Sequence, residues 1–266
     1  MEKLISVGMP TYNRPNLLAL ALGDIVNQDY KNIEIIVSDN CSAGSDTEEV
    51  VRRFMESDSR IKYIRQPIHI AATDNFKYVL AQSTGEFFMW ASDDDRWELN
   101  YISEMLNVID SNKDCVLAYS EPYLITFNGD KNSTPLSSKI DTRGLSKVAS
   151  LRNVLRNQNL NNETCGIYKR SALANYDFPK FYGADHMLLA YIALKGAICK
   201  GKAGLFSLRL GGAGSEAASI LMSFGIKPNI FNSYFGYVSQ GWGLLKTLFK
   251  YNELKIWEKF LCTFLI

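Results

Sequence analysis

Short apolar runs alternate with amphipathic stretches along the first hundred residues of the chain. Each run has the length and bulky composition of a buried strand, and each stretch repeats its apolar positions at helical spacing. The predicted strands span residues 4–8, 33–37, 61–64 and 87–91, and the intervening helices begin near Pro15, Ser45 and Thr73. This alternation predicts an α/β fold, with a doubly wound, mainly parallel sheet, right-handed crossovers and helices on both faces.

Local signals support these helix starts. Pro15 suits the first position of a helix, where a missing N–H has no cost. Residues 45–48 have the Ser-x-x-Glu pattern of a capping box. The third helix is expected to direct Phe76, Val79 and Leu80 into the core.

The second half of the chain is less regular. Its pattern predicts a helix over 99–112, a strand over 116–120, a short helix over 151–157, a strand fragment over 166–168, and an apolar helix that starts at Asp185 and stops at Gly196. A polar segment, 128–142, and a glycine-rich segment, 209–215, are typical of mobile loops or lids.

Composition narrows the possible functions. The chain has 266 residues, 47% of them hydrophobic, which suits one large domain or one domain with a short appendage. A formal net charge of +1 gives no nucleic-acid-binding signature. Five scattered cysteines without a CxxC pair indicate reduced thiols, and the N-terminus lacks the apolar core of a signal peptide. We therefore expect a cytoplasmic protein without a membrane span.

The C-terminal stretch 242–266 has an amphipathic pattern. Aromatic and aliphatic residues share one helical face there, and lysines occupy the other. Two interpretations remain open. The helix either packs on the domain or on a second subunit, or lies at a membrane surface as an interfacial helix.

Polar residues follow several of the predicted strands. Three consecutive carboxylates, Asp93, Asp94 and Asp95, come directly after the fourth strand, where their repulsion must be offset by solvent or a cation. The loop 12–14, Asp39 and Arg65 follow other strands, and ligands of parallel α/β sheets collect at these ends. The first strand is not followed by GxGxxG, which argues against a dinucleotide enzyme.

Three blocks carry a resemblance to a known family. They are Val-Gly-Met-Pro-Thr-Tyr-Asn-Arg at 7–14, Glu-Ile-Ile-Val-Ser-Asp-Asn at 34–40, and Gly-Glu-Phe-Phe-Met-Trp-Ala-Ser-Asp-Asp-Asp at 85–95. In order and spacing they resemble the family 2 glycosyltransferases of the GT-A fold, an inverting, bacterial polysaccharide type. The resemblance implies a domain over 1–215, with a nucleotide-sugar-binding half (1–97), an acceptor half (98–215) and a C-terminal helical extension (216–266).

The resemblance also implies roles for individual residues. Nucleotide-sugar binding, most naturally of a UDP-sugar, falls to Pro10, Tyr12, Asn13, Arg14, Asp39, Arg65 and Asp93. Taken alone, Asp39 is also typical of a turn, and Arg14 and Arg65 of solvated positions.

A metal role is implied for Asp94 and Asp95, with Mn²⁺ or Mg²⁺ as the cofactor. The family pattern is Asp-x-Asp-Asp, and Ser92 stands at its first position. Two registers are compatible with the sequence. Asp94 is the metal ligand with Asp93 near the ribose, or Asp93 and Asp95 form the Asp-x-Asp pair.

The resemblance makes Asp185 the general base of transfer to a glycan or lipid-linked hydroxyl. An N-cap role is compatible with this, because the helix dipole keeps a carboxylate ionised. Ala184 replaces a common acid of the family, and His69 and His186 suit structural roles. Two rivals remain: a catalytically idle sugar-nucleotide-binding module that serves a partner enzyme, and a nucleotidyltransferase, for which the loop at 12–15 is a poor match.

Overall fold

A computed structural model describes residues 2–126, 128–158, 162–178 and 184–210. The strands of this part of the chain are β1 (Ile5–Thr11), β2 (Ile33–Asp39), β3 (Ile61–Arg65), β4 (Phe87–Trp90), β5 (Arg96–Trp97), β6 (Cys115–Tyr119), β7 (Tyr123–Ile125), β8 (Ile167–Lys169), β9 (Ala197–Lys200) and β10 (Phe206–Arg209). The α-helices are α1 (Pro15–Val26), α2 (Asp46–Met55), α3 (Ala72–Ala81), α4 (Tyr101–Asp110), α5 (Lys147–Asn157) and α6 (Ala184–Lys195).

Seven strands form one sheet in the order β3-β2-β1-β4-β8-β6-β9. All neighbours are parallel except β8, which runs antiparallel to both β4 and β6. A smaller sheet has the order β5-β10-β7. The predicted α/β class and mainly parallel sheet are confirmed, whereas the reversed β8 and the small sheet were not predicted.

The core lies on both faces of the large sheet. Every residue of β1 and β2 is buried, as expected for central strands covered on both sides. Side chains of α1, α2 and α4 pack into the cluster on one face, and those of α3 and α6 pack on the other, where α5 packs against α6. The sheet is therefore held rigidly, and its carboxyl edge is free to carry a site.

The first strand is longer than expected. It continues through Pro10 to Thr11 instead of ending before the proline. Ladder pairing with β4 stops at Gly8 and Trp90, so β4 does not need the N–H that Pro10 lacks. The strand therefore carries its polar loop farther along the edge.

Two helix predictions need correction. Ser45 precedes α2 but makes no capping hydrogen bond to the backbone, and its hydroxyl donates to Glu49 Oε1 at 2.6 Å instead. In α3 the buried residues are Thr73, Asn75 and Val79, whereas Phe76 is 36% exposed. Phe76 faces a cavity, described below, and does not fill the core.

The acceptor half also differs in detail. Helix α5 begins at Lys147, four residues before the predicted start, with Ser146 Oγ accepting the N–H of Ala149. The polar segment 128–142 is anchored at its end, since Ile198 N–H donates to the buried Thr142 Oγ1 at 2.8 Å.

The predicted helical extension 216–266 lies outside the described residues, and so do residues 211–215 of the predicted loop at 209–215. Arg209 is described, and it belongs to β10. No helix in the described ranges is long and apolar enough to cross a membrane.

Candidate functional site

Parallel pairing aligns several predicted site residues at one edge of the sheet. Thr11 of β1 lies in register with Asp39 of β2, and Asp39 with Arg65 of β3. The loop 92–95, which we call the acidic loop, leaves β4 at the same edge. There Thr11 Oγ1 donates to Asp93 Oδ2 at 2.7 Å. The edge thus gathers carboxylates from two strands around the end of β1.

Arg14 connects the loop after β1 to the acidic loop. Its Nη1 donates to Asp93 Oδ1 and to Asp94 Oδ2, both at 2.8 Å. The side chain is 23% exposed, so solvent screens these ion pairs only in part. One guanidinium therefore offsets part of the negative charge that the sequence concentrates here.

Two of the three acidic side chains are buried. Burial raises the pKa of Asp93 to about 6, against the opposing effect of Arg14. Burial, together with the charge of Asp94, also raises the pKa of Asp95 above its usual range. A bound cation favours the ionised form of a carboxylate, so these raised pKa values are the electrostatic cost that such a cation would relieve.

Arg209 fixes the acidic loop from its other side. Its backbone N–H donates to Asp95 Oδ1 at 2.8 Å, and its Nε donates to the carbonyl oxygen of Asp94 at 2.7 Å. Sequence reasoning missed this residue by assigning it to a flexible loop. The alternation of apolar and polar residues at 205–210 is the signal that would have indicated a strand.

Asp39 is fully buried and already accepts two hydrogen bonds. Its Oδ1 accepts the N–H of Ser42 and its Oδ2 the hydroxyl of Tyr63, both at 2.9 Å. Ser42 in turn accepts the N–H of Asn13 on its Oγ at 2.8 Å. Each carboxylate oxygen retains acceptor capacity, and Ser42 and Tyr63 are further candidate site residues that the sequence did not single out.

Arg65 and Asn13 both hold the loop after β2. Arg65 donates to the carbonyl oxygens of Ser42 and Gly44 at 2.6 and 3.1 Å. Asn13, which has a left-handed backbone with φ of 53°, accepts the N–H of Ala43 on Oδ1 at 2.7 Å. In this structure both side chains therefore fix the shape of the two loops around Asp39.

Tyr12 and Pro10 occupy opposite environments. Tyr12 is 43% exposed, and its ring lies 4.5 Å from that of His69. Pro10 is buried inside β1. Of these two residues, only Tyr12 has a side chain that a ligand could reach in this structure.

Asp185 lies in the first turn of α6, which begins at Ala184, so it is not at the N-cap position with which its sequence context is also compatible. Its carboxylate is exposed, and Oδ1 accepts the N–H of His186 at 3.0 Å. Asp185 and Ser92 line the same cavity of about 350 Å³, which brings the predicted base beside the acidic loop.

The residues at the acidic loop fit a metal site whose ligands come partly from the protein and partly from substrate phosphates better than a site formed by the protein alone. In the described ranges, no cluster of three or more His, Cys, Asp or Glu side chains is arranged to hold a metal ion. Mg²⁺ is commonly held by one or two carboxylates together with substrate phosphates. Asp94 has 14% of its side chain exposed, against 7% for Asp93, and it suits this arrangement.

Comparison with known sequences identifies the family. The family profile described as Glycosyl transferase family 2 matches residues 6–176, more than half of the chain. The GalNAc(5)-diNAcBac-PP-undecaprenol beta-1,3-glucosyltransferase of Campylobacter jejuni is 32% identical over 194 residues, covering 71% of this chain and 59% of the relative. WfgD of Escherichia coli, a UDP-Glc:alpha-D-GlcNAc-diphosphoundecaprenol beta-1,3-glucosyltransferase, is 28% identical over 108 residues, covering 41% of this chain and 42% of the relative. The chain thus spans less than two thirds of either relative.

Solved structures share the architecture. S. aureus TarS 1–349 in complex with UDP-GlcNAc matches with a TM-score of 0.71 at 15% identity, covering 97% of this chain and 70% of that chain. Mannosyltransferase PcManGT from Pyrobaculum calidifontis, in complex with GDP-Man and Mn²⁺, matches with a TM-score of 0.61 at 16% identity, covering 93% and 73%. At this level of identity the likeness concerns the fold. Together with the family match, it establishes that the chain belongs to glycosyl transferase family 2 and has the GT-A fold.

Proposed function

We propose that this chain is an inverting glycosyltransferase that moves a hexose from a UDP-sugar to a hydroxyl of a lipid-linked glycan, with Asp185 as the general base. The observation that carries the proposal is the cavity lined by both Ser92 and Asp185. A donor held by the acidic loop and an acceptor hydroxyl beside Asp185 meet in that cavity.

The donor is held at the carboxyl edge of the sheet. Asp39 has remaining acceptor capacity for the N–H of a uracil ring, and its orientation is fixed by Tyr63 and Ser42. The exposed ring of Tyr12 offers a stacking face for the base. Arg14 lies where the diphosphate meets the acidic loop, and it offsets charge on both partners.

Asp94 is the proposed ligand of Mn²⁺ or Mg²⁺, which favours the first of the two registers. The support is exposure, since Asp94 is the more exposed of the two carboxylates paired with Arg14, while Asp95 accepts the backbone N–H of Arg209. A divalent cation held there would supply charge stabilisation to the leaving diphosphate. Asp93 keeps its neighbours Thr11 and Arg14 in place near the ribose.

The chemical step needs one proton acceptor. The Asp185 carboxylate removes the proton of the acceptor hydroxyl as that oxygen attacks the anomeric carbon. The bond from this carbon to the diphosphate oxygen breaks on the opposite side, UDP leaves, and the configuration inverts. Asp185 lies in the first turn of α6, where its side chain lines the cavity.

The relatives guide the choice of acceptor. The names of the Campylobacter jejuni enzyme and of WfgD both specify glucose transfer to undecaprenol-diphosphate saccharides that carry N-acetylated sugars. We extend this acceptor class to the present chain. Such an acceptor would bring the protein to the inner face of the membrane as a peripheral enzyme.

A donor panel tests the proposal directly. Release of the nucleoside diphosphate is measured with Mn²⁺ and an octyl glycoside acceptor, as UDP from UDP-glucose, UDP-galactose and UDP-GlcNAc and as GDP from GDP-mannose. We expect acceptor-dependent UDP release from one UDP-sugar. Donor binding without turnover across the panel would instead support an idle binding module.

The metal assignment is tested separately. Asp94→Asn should reduce Mn²⁺-dependent binding of UDP, measured by calorimetry, by at least about tenfold, a loss comparable with that of a charged interaction. Asp177→Asn removes an exposed carboxylate outside the acidic loop and serves as the matched control. Equal UDP affinity in both variants would refute the metal role of Asp94.

A further inference from the structure

The cavity beside Asp185 has a wall that is largely apolar. It is enclosed by the start of α3, the end of β4 and α6. Five of its lining residues have large aromatic or aliphatic side chains, namely Phe76, Trp90, Tyr176, Phe178 and Leu188. We call these five residues the aromatic wall.

The aromatic wall is held in place by contacts within the protein. The Trp90 indole N–H donates to the carbonyl oxygen of Phe76 at 3.1 Å, so it is already used. The ring of Trp90 meets that of Phe178 edge-on at 5.9 Å, and Phe178 meets Tyr176 edge-on at 4.9 Å. The wall is therefore preformed, and its indole offers no free donor to a sugar hydroxyl.

The wall lies directly beside the proposed base. Asp185 and Leu188 are three residues apart on α6, so their side chains lie on the same face of the helix. Both line the cavity. Whatever group occupies the wall is thus a close neighbour of the hydroxyl that Asp185 deprotonates.

The chemistry of the wall selects between two kinds of neighbouring group. A sugar hydroxyl seated against the ring and alkyl groups of the wall would lose hydrogen bonds to water, and the Trp90 indole could not replace them because it already donates to Phe76, so this placement is unfavourable. An acetamido group presents a methyl that gains from burial, and a single amide that needs a partner. Thr73 also lines the cavity, and its buried Oγ1 has no hydrogen-bond partner among the described residues.

We propose that the aromatic wall is an acceptor subsite for an acetamido group next to the attacked hydroxyl, with Thr73 pairing with its amide. This inference rests on the proposed function and extends it, because it assigns acceptor specificity to named residues. The acceptor sugar is then a 2-acetamido hexose attacked at a neighbouring hydroxyl. The acetamido methyl lies against Phe178 and Leu188.

A matched pair of acceptors tests the assignment. Transfer of glucose from UDP-glucose is measured with octyl N-acetylglucosaminide and with octyl glucoside, which differ only in the acetamido group. We expect kcat/KM to be at least about tenfold higher for the acetamido acceptor, the size of discrimination that a small apolar group gives. Phe178→Ala and Thr73→Val should each reduce this ratio severalfold.

The control variant is Phe54→Ala, which truncates a partly buried phenylalanine of the core on the other face of the sheet. It should leave the acceptor ratio unchanged. An equal ratio in Phe178→Ala and Phe54→Ala, or no acetamido preference in the wild-type protein, would overturn the inference while leaving the proposed transfer intact. A change in discrimination between UDP-GlcNAc and UDP-glucose alone would assign the wall to the donor and overturn it as well.

A binding measurement separates this inference from the proposed function. Saturation-transfer NMR detects contact between the protein and the acetyl methyl of octyl N-acetylglucosaminide in the presence of UDP and Mn²⁺. A methyl signal that is lost in Phe178→Ala but kept in Phe54→Ala supports the subsite even if no glucose is transferred. Absence of a methyl signal in the wild-type protein would contradict it.

Discussion

Glu34 is a buried carboxylate far from the acidic loop, and the contribution of its charge to the free energy of unfolding can be measured. Glu34, near the start of β2, is 7% exposed and accepts hydrogen bonds from Ser6 Oγ at 2.6 Å and from Lys62 Nζ at 2.7 Å. The N–H and Oγ1 of Thr84 both donate to Glu34 Oε1 at 2.7 Å. This network connects β1, β2, β3 and the turn before β4 at the amino edge of the sheet.

The magnitude follows from the pKa of Glu34. Burial alone would raise this pKa, but the bonds from Lys62, Ser6 and Thr84 outweigh it and lower the pKa from 4.5 to about 2. A depressed pKa contributes stability that is fully present above 4.5 and is lost as the pH falls toward 2. A shift of this size corresponds to an upper limit of about 3 kcal/mol in the free energy of unfolding.

Glu34→Gln is therefore expected to destabilise the protein by up to about 3 kcal/mol at pH 6, and the difference from wild type should shrink by more than half at pH 3. Urea unfolding followed by tryptophan fluorescence measures both values. Glu86→Gln, which alters an exposed carboxylate near the same turn, should show little difference at either pH. A destabilisation by Glu34→Gln that is constant from pH 3 to pH 6 would refute the charge-based reasoning.

Three further variants test the packing and the site. Gly8→Ala should lower Tm, with a destabilisation of about 1–3 kcal/mol from overpacking, because its Cβ would lie 2.7 Å from Val79 Cγ2 and 2.9 Å from Phe88 Cζ. A Tm within a degree of wild type would contradict this. Tyr63→Phe removes a hydroxyl that donates to the fully buried Asp39, so it should lower Tm and should weaken UDP binding severalfold in calorimetry carried out well below that Tm. Unchanged UDP affinity would contradict a role of Asp39 in binding the uracil ring. Arg209→Met removes the hydrogen bond from Nε to the Asp94 carbonyl oxygen. It should lower kcat for glucose transfer by about tenfold or more, as expected when a catalytic loop is displaced. An unaffected kcat would limit Arg209 to a structural role.

The first half of the fold could be predicted because its signals are local. Each strand and helix before Phe87 has its own periodicity, and a parallel order follows from their alternation. The reversed direction of β8 and the pairing of β10 with β5 depend on contacts between distant segments. Periodicity carries no information about such pairing, which is why these elements were missed.

The candidate site shows the same difference between features that local sequence signals predict and features that depend on contacts between distant segments. Asp39 and the acids after β4 were predicted to lie together because they follow strands whose carboxyl ends share an edge, and the structure brings them to that edge. The partners of these acids could not be predicted from the sequence. The ion pairs of Arg14 with Asp93 and Asp94 depend on the conformation of the loop after β1. The aromatic wall was also hidden, because Phe76 has the spacing of a core residue yet lines the cavity.

Glucose transfer by Asp185→Asn, compared with transfer by wild type and by Asp177→Asn, tests the central proposal most directly. Radiolabelled UDP-glucose and octyl N-acetylglucosaminide are the substrates, and UDP-glucose affinity is measured in parallel by calorimetry. We expect Asp185→Asn to lose at least about a hundredfold in kcat, the usual contribution of a general base, with unchanged donor affinity and near-normal transfer by Asp177→Asn. Transfer by Asp185→Asn at the wild-type rate would contradict the assignment of Asp185 as the base.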